Sequence, residues 1–600
     1  MPAELQAVVS PTRRATVAAL AVITAIAGAL RLTALGRGPL DPFYDAAVRS
    51  MSLSLRNFAL GAYEPGGSVS IDKPPVDLWL AVASVKLFGF GATQLLLPQA
   101  ICGTLAVPLL FDAVRRACGE LAGLCSAAVL ALLPIAVLSS RSDTMDSVMM
   151  ALCVLALWLL VRFAADRRGR WLYLAAVAAG LAFEVKLLEA LIALPALALI
   201  ALLAGHERRW RRLALATATY VVVALSWLLS TLLWPASERP YAIGSTNGSA
   251  WNAAFVFNGY DRIAGKATQG LGDSSPLTPR RRPANNSEVA RAAVPIGTPS
   301  PLRLLDHNGP LSGLRLGFVL LLALGLGVPA LIAALRRGAA PEQPFAAGIL
   351  LWLLAGVVLF SAMARLHPRY TEAFTPAVAA AGGIGIAWAI RGCGGAALFS
   401  CLTAAALALY GLYLLGVSSA TAWLTVLAAV AVVAIVALPR RGQLRAPALA
   451  MALGICALAL PAKVAIGLVR HHESDAGRTG VIAPHQLSSL SRYLRANDDG
   501  ARYELAAGSA TRVAALIARD ARPVVMLTTF SGRPLVGVAS LARLVAAGEV
   551  RFALLDGDCR PPGRPSEPAC SAAAAWVRLH GTDVSVGAGL PRARLLWHLR

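Results

Sequence analysis

The chain has 600 residues, of which 57% are hydrophobic and 14% charged, and its mean hydropathy is +0.64. Such a composition excludes a disordered, collagen-like or small disulfide-scaffold protein, and it is too apolar for a string of soluble domains, so most of the chain needs lipid around it. The 55 Lys+Arg against 32 Asp+Glu leave a net charge of +23, which in a soluble protein would suggest nucleic acid but here is tested first against membrane topology.

Apolar runs of about 20 residues cross a bilayer as helices, because hydrocarbon offers no partner to an unpaired backbone group. About thirteen such runs are expected, near residues 15–35, 92–114, 120–139, 144–164, 171–186, 187–205, 213–234, 314–335, 344–363, 373–390, 395–417, 422–438 and 446–468. With the N-terminus (1–14) inside, each short inner loop is basic: Arg13 and Arg14, Arg115 and Arg116, 162–170, 208–212, Arg336 and Arg337, Arg391, and 440–445. This one-sided placement accounts for much of the positive charge without nucleic acid and sets the orientation. The first run is span-length and has no clear cleavage site, which speaks against a removed signal peptide.

That orientation puts residues 36–91, 235–312 and the tail from 470 outside. The tail (470–600) reads as a small α/β domain, helical over 485–497, 509–519 and 538–547 with strands over 502–507, 523–529 and 550–555. Cys559 and Cys570 flank a Pro/Gly-rich loop there, where an oxidising compartment permits a disulfide. The remaining cysteines lie in or beside apolar runs, where a small hydrophobe is the default. No Walker loop, dinucleotide fingerprint, HExxH or GxSxG pattern occurs.

Chemistry-bearing residues gather where these runs meet the outer side. The first outer loop begins Leu40-Asp41-Pro42-Phe43-Tyr44-Asp45, and a helix would place Asp41 and Asp45 on one face. A plain N-cap at Asp41 followed by Pro42 explains the same residues. Farther on, Asp72-Lys73-Pro74-Pro75 puts an ammonium near the interface, able to hold a lipid phosphate or simply to snorkel. Asp143 and Asp146 occupy one short turn and Glu184 and Lys186 another; charges so close to hydrocarbon suggest function, with helix capping and a Glu184/Lys186 pair as the bland alternatives. Asn258 to Arg262 and His367-Pro368-Arg369-Tyr370 add cations and aromatic rings.

With these residues in view, the chain over roughly 15–390 resembles membrane glycosyltransferases of the GT-C class, in the family 39 group that includes protein O-mannosyltransferases and lipid A aminoarabinose transferases. The likeness rests on Tyr44 to Met51, the Asp72-Lys73-Pro74 turn, the Asp143 to Asp146 turn, Lys186, Phe257 to Arg262 and His367 to Tyr370. Bacterial members share the stretch from Pro65-Gly66-Gly67 to Pro75 and a similar outer C-terminal domain. The resemblance implies a GT-C transmembrane domain over 15–469, with the 470–600 domain outside the bacterial plasma membrane. It also implies inverting transfer of a sugar, mannose among the candidates, from a polyprenyl-phosphate donor to a hydroxyl of an envelope acceptor. The catalytic base then maps to Asp41, with Asp45 in reserve. The donor phosphate maps to Lys73 and Arg262, with Lys186 as a third cation, and Tyr44, Asp72, Asp143, Asp146, Glu184, His367, Arg369 and Tyr370 fall in the pocket. The sequence has no convincing metal-ligand set, although a divalent cation is compatible with the chemistry. The competing readings are a polytopic transporter or lipid flippase, whose charges would lie near the midplane, and a non-catalytic scaffold displaying the outer domain.

Overall fold

The computed structural model describes residues 13–205, 209–260, 299–307, 313–338, 341–363, 366–392, 395–438, 444–476, 480–529, 533–559 and 568–600. Contacts divide the chain into two units, one made of residues 1–38, 96–225 and 295–475, the other of 39–95, 226–294 and 476–600.

The first unit is helical. Among the described residues of the chain, nine helices are long and apolar enough to cross a membrane, and up to eleven spans result if two bent pairs each count as one. The chain is thus a multi-pass membrane protein, and the described residues do not confirm the expected count of thirteen spans. The expected fifth and sixth spans form one bent pair, Gly169–Ile192 and Leu194–Ala204, at 86°. The bend falls between Ile192 and Leu194, and within the first piece the α-helix gives way at Leu187, which takes φ 43°, to a 3-10 turn over Leu187–Ile192. The expected seventh span divides into Arg209–Ala224 and Ser226–Thr231, neither of span length. Within Glu120–Leu132 and Pro134–Ser140 a 59° bend falls at Leu133, where Pro134 opens the second helix and forces the preceding residue out of helical geometry.

The second unit gathers the three segments assigned to the outside. Its helix α1 spans Pro42–Met51, and strand β1 (Val69–Ser70) pairs in parallel with β2 (Tyr241–Ala242), joining the two long loops. The tail contributes α2 (Pro484–Ala496), β3 (Ala506–Ser509), α3 (Ala510–Asp520), β4 (Val525–Thr528), α4 (Val538–Ala546), β5 (Phe552–Leu554), α5 (Ala572–His580), β6 (Thr582–Asp583) and β7 (Leu596–His598). The sheet runs β4-β3-β5-β7-β6, with β4, β3 and β5 parallel and the last two pairings antiparallel. The α/β reading of the tail holds, and Cys559 and Cys570 form the expected disulfide.

One hydrophobic core runs from the first long loop into this sheet. It includes Phe43, Ala47, Val48, Met51, Tyr63 and Ile71 together with Leu490, Val513, Ile517, Met526 and Phe552, all buried. The amphipathic face of α1 packs on α3, so the helix that carries Asp41 and Asp45 is seated on the C-terminal domain.

Candidate functional site

In the second unit, the Asp41 carboxylate caps α1 by accepting the Phe43 N–H at 3.1 Å, and Pro42 occupies the first helical position. The capping explanation is therefore met, and Asp45 follows one turn later, buried, on the same helix. Tyr44 lies between them and accepts a hydrogen bond from the Lys73 ammonium at 3.1 Å. Lys73 is also 3.5 Å from the Asp72 carboxylate, and both side chains are more than nine-tenths buried. The Asp72-Lys73 turn is fixed from the second long loop, where the Asn258 amide donates to the Asp72 carbonyl at 2.6 Å and to the Ala253 carbonyl at 3.1 Å. Three acids, a phenol and an ammonium thus lie on α1, its cap and this turn, joined by the Lys73–Tyr44 hydrogen bond; Arg262 lies outside the described residues.

The same loop is tied to the C-terminal domain by two wholly buried side chains. The Tyr63 hydroxyl donates to the Ala510 carbonyl at 2.9 Å, while its ring lies 4.9 Å from that of Phe43. Burial, with the Asp41 charge adding to it, holds the Tyr63 phenol well above its ordinary range, so it stays a donor. Glu64 accepts backbone N–H groups of Gly66 at 2.6 Å, Ser68, and Val524 at 3.4 Å.

A second charged cluster belongs to the first unit. The Lys186 ammonium pairs with the Asp146 carboxylate and, at 3.0 Å, with Glu189, and it lies 4.8 Å from the Tyr370 ring centre. The alternative Glu184/Lys186 pair is thus replaced by partners on a different helix and one turn ahead. Glu184 and Asp143 are buried in the same unit. The Asp146 carboxylate makes no side-chain cap, because Met145 takes the N-cap position. Tyr370 sits on the 3-10 helix Pro368–Phe374, edge-on to His367 at 5.0 Å. Arg369 donates its backbone N–H to the Asp475 carboxylate at 3.1 Å and its guanidinium to the Asp475 carbonyl at 3.0 Å, and the Asp475 N–H reaches Ser142 Oγ at 2.7 Å. Burial pushes the Asp475 carboxyl up, against the opposing pull of Arg369.

Several residues of these clusters are not apparent as partners from the sequence. Arg31, wholly buried, donates to Ser140 Oγ at 3.2 Å and to the carbonyls of Ala27, Ala131 and Leu130. A single arginine inside an apolar run is the signal that marks it. Glu372 is wholly buried, with no hydrogen bond to either carboxylate oxygen among the described residues. Among the described residues, no three acidic, His or Cys side chains gather as a metal ion would require.

The comparisons with known proteins agree with the resemblance read from the sequence. Residues 72–234 match the family model described as dolichyl-phosphate-mannose-protein mannosyltransferase, and residues 490–580 match that of the "Putative mannosyltransferase YkcB-like, C-terminal" family. Two proteins of Bacillus subtilis (strain 168) named "Putative mannosyltransferase", YkcB and YycA, are each 34% identical, over 257 and 231 residues. The matches cover 42% and 38% of this chain but only 36% and 34% of those relatives, so the chain spans about a third of their length. The fold is shared with ArnT from Cupriavidus metallidurans in the apo state, with a TM-score of 0.56 and 18% identity over 97% of both chains. The undecaprenyl phosphate-bound form of that protein gives a TM-score of 0.53 at the same identity and coverage. The oligosaccharyltransferase of Archaeoglobus fulgidus in the apo form gives 0.53 at 15% identity, over 90% of this chain and 70% of that one.

Proposed function

We propose that the chain transfers a sugar from a polyprenyl-phosphate donor to an acceptor hydroxyl at the outer face of the plasma membrane, with inversion at the anomeric carbon and mannose as the first sugar to test. The observation that carries this reading is the Lys73 ammonium, buried beside Tyr44 and Asp72 on the unit that also holds Asp41 and Asp45. Two features add support: the segment from residue 72 matches a family named for a polyprenyl-phosphate sugar, and the ArnT neighbour is described bound to undecaprenyl phosphate. The basic inner loops support an inward N-terminus and an outward C-terminal domain.

In this mechanism Asp41 or Asp45 takes the acceptor hydroxyl proton as its oxygen bonds to the anomeric carbon. The bond from that carbon to the phosphate oxygen breaks on the opposite face, leaving polyprenyl phosphate. Lys73, oriented by Tyr44, stabilises the negative charge growing on the departing phosphate. The donor enters with its lipid, so no nucleotide pocket is needed. Lys186, already neutralised by two carboxylates, holds its own unit together and has the lesser claim on a phosphate.

The test supplies purified protein with labelled polyprenyl-phosphate sugars and follows consumption of each. Asp41→Asn keeps the cap, since Asn caps helices as well as Asp, and is expected to lower turnover at least about 100-fold with donor binding retained. Lys73→Ala is expected to weaken donor binding. Wild-type behaviour of both variants overturns the assignment, and an effect at Asp45→Asn alone moves the base one helical turn.

A further inference from the structure

The domain formed by residues 476–600 contains 16 Arg and no Lys against 9 Asp+Glu. The proposed chemistry at α1 and Lys73 uses none of these arginines. Three of them, Arg492, Arg495 and Arg519, line a cleft of about 460 Å³ together with Ser488, Ser491 and Ala496. The cleft lies along α2 and α3, and its Ser488, Ser491, Arg495 and Arg519 side chains are held in place. Arg519 Nη1 donates to Ser488 Oγ at 2.9 Å, Ser491 Oγ donates to Asp520 Oδ1 at 2.9 Å, and the Arg495 guanidinium pairs with the same carboxylate.

The charge of this cleft follows from the two acids beneath it. Asp520 and Glu504 interact closely, and no protein donor among the described residues reaches either Glu504 oxygen or Asp520 Oδ2. A proton held between the two carboxyls satisfies that geometry, and burial followed by the Asp520 charge raises the Glu504 carboxyl to about 9. The pair therefore carries one negative charge at neutral pH, and three guanidinium groups outweigh it. Arginine in place of lysine matters here, because its planar fork grips two oxygens of a phosphate at once. A flat, spread patch would suit a lipid surface; a concave one with fixed guanidinium and hydroxyl donors suits discrete phosphate groups along a chain.

We infer that this cleft binds a phosphodiester-bearing envelope polymer, holding it on the outer domain by its phosphates. The inference stands apart from the donor-site reading, since the binding needs neither donor nor turnover.

Full-length protein in uncharged detergent is titrated with oligo(glycerol phosphate), with a neutral mannan oligosaccharide as control and with micelles containing phosphatidylglycerol as a separate arm. Wild-type protein is expected to bind the phosphate oligomer and not the neutral one, more weakly as salt rises. Arg492→Gln with Arg519→Gln is expected to weaken it about 100-fold, roughly tenfold for each charge-assisted contact. Arg492→Lys with Arg519→Lys recovers only part of the loss, which separates forked recognition from net charge. Both arginines are exposed, so an unchanged melting curve checks that the variants fold. Equal binding by the glutamine variant, or binding to phosphatidylglycerol micelles with none to the oligomer, overturns the inference.

Discussion

Replacing Glu504 by Gln isolates one buried proton, and its consequence can be worked out from the structure. Glu504 is 1% exposed and its carboxyl is raised from 4.5 to about 9 by burial and by Asp520. The unfolded chain releases this proton near 4.5, whereas the folded chain keeps it until about 9. Between those values the folded state binds one proton more, so its stability falls as pH rises, by about 1.4 kcal/mol per unit. The stabilisation is fully present below 4.5 and is lost as pH climbs through the window to about 9. From pH 5 to pH 8 the fall is at most about 4 kcal/mol. Gln cannot ionise, keeps the shape, and can donate an N–H to Asp520. The assay is thermal unfolding of the purified full-length wild-type and Glu504→Gln proteins across this range. The expected result is near-equal melting temperatures at pH 5 and a clear advantage for the variant at pH 8. Parallel curves for the two proteins across the whole range would refute the shared proton.

Other consequences concern the Lys186 cluster and the anchored loop. Lys186→Met leaves the buried Asp146 and the half-buried Glu189 without their cation and is expected to destabilise the protein by about 3–5 kcal/mol; adding Asp146→Asn should recover part of this in a denaturation series, and additive losses would show that the two residues act separately. Glu64→Ala deprives three backbone N–H groups of their acceptor, an expected loss of roughly 3 kcal/mol or more, and hydrogen exchange should rise first at Gly66, Ser68 and Val524. Tyr63→Phe removes one buried hydrogen bond and should cost about 1 kcal/mol, read as a drop in melting temperature with no change in the acid–base groups themselves.

Local signals in the sequence located most elements, and long-range ones were out of reach. The cap at Asp41-Pro42, the apolar runs and the tail helices rest on neighbours a few residues apart, and each lies close to its expected place. Strand β3 begins at Ala506 rather than 502, since Glu504 is turned inward against Asp520 and the preceding residues make a turn. The last helix and the strands β6 and β7 were not anticipated: β6 is two exposed residues, too short to show an alternation. The charged turn at Lys186 was legible as a place, but its partner Asp146 lies 40 residues away and nothing local names it. Asn258 was read as part of a motif, while its hold on the Asp72 carbonyl spans 186 residues. The missing spans have a physical cause too. Hydropathy counts apolar length and is blind to the 86° bend between Ile192 and Leu194 that joins one expected pair into a single broken helix.

The seating of α1 on the C-terminal domain has a consequence for biogenesis. Tyr63 waits 447 residues for the Ala510 carbonyl that receives its hydroxyl. At about 5–20 residues per second, ribosomes need roughly 20–90 s to make that stretch. Throughout this interval the first long loop carries Phe43, Val48, Met51 and Ile71 without the C-terminal partners that will cover them. The unfinished chain thus asks for an escort, and one halted before residue 510 would present a sticky, incomplete surface to quality-control proteases.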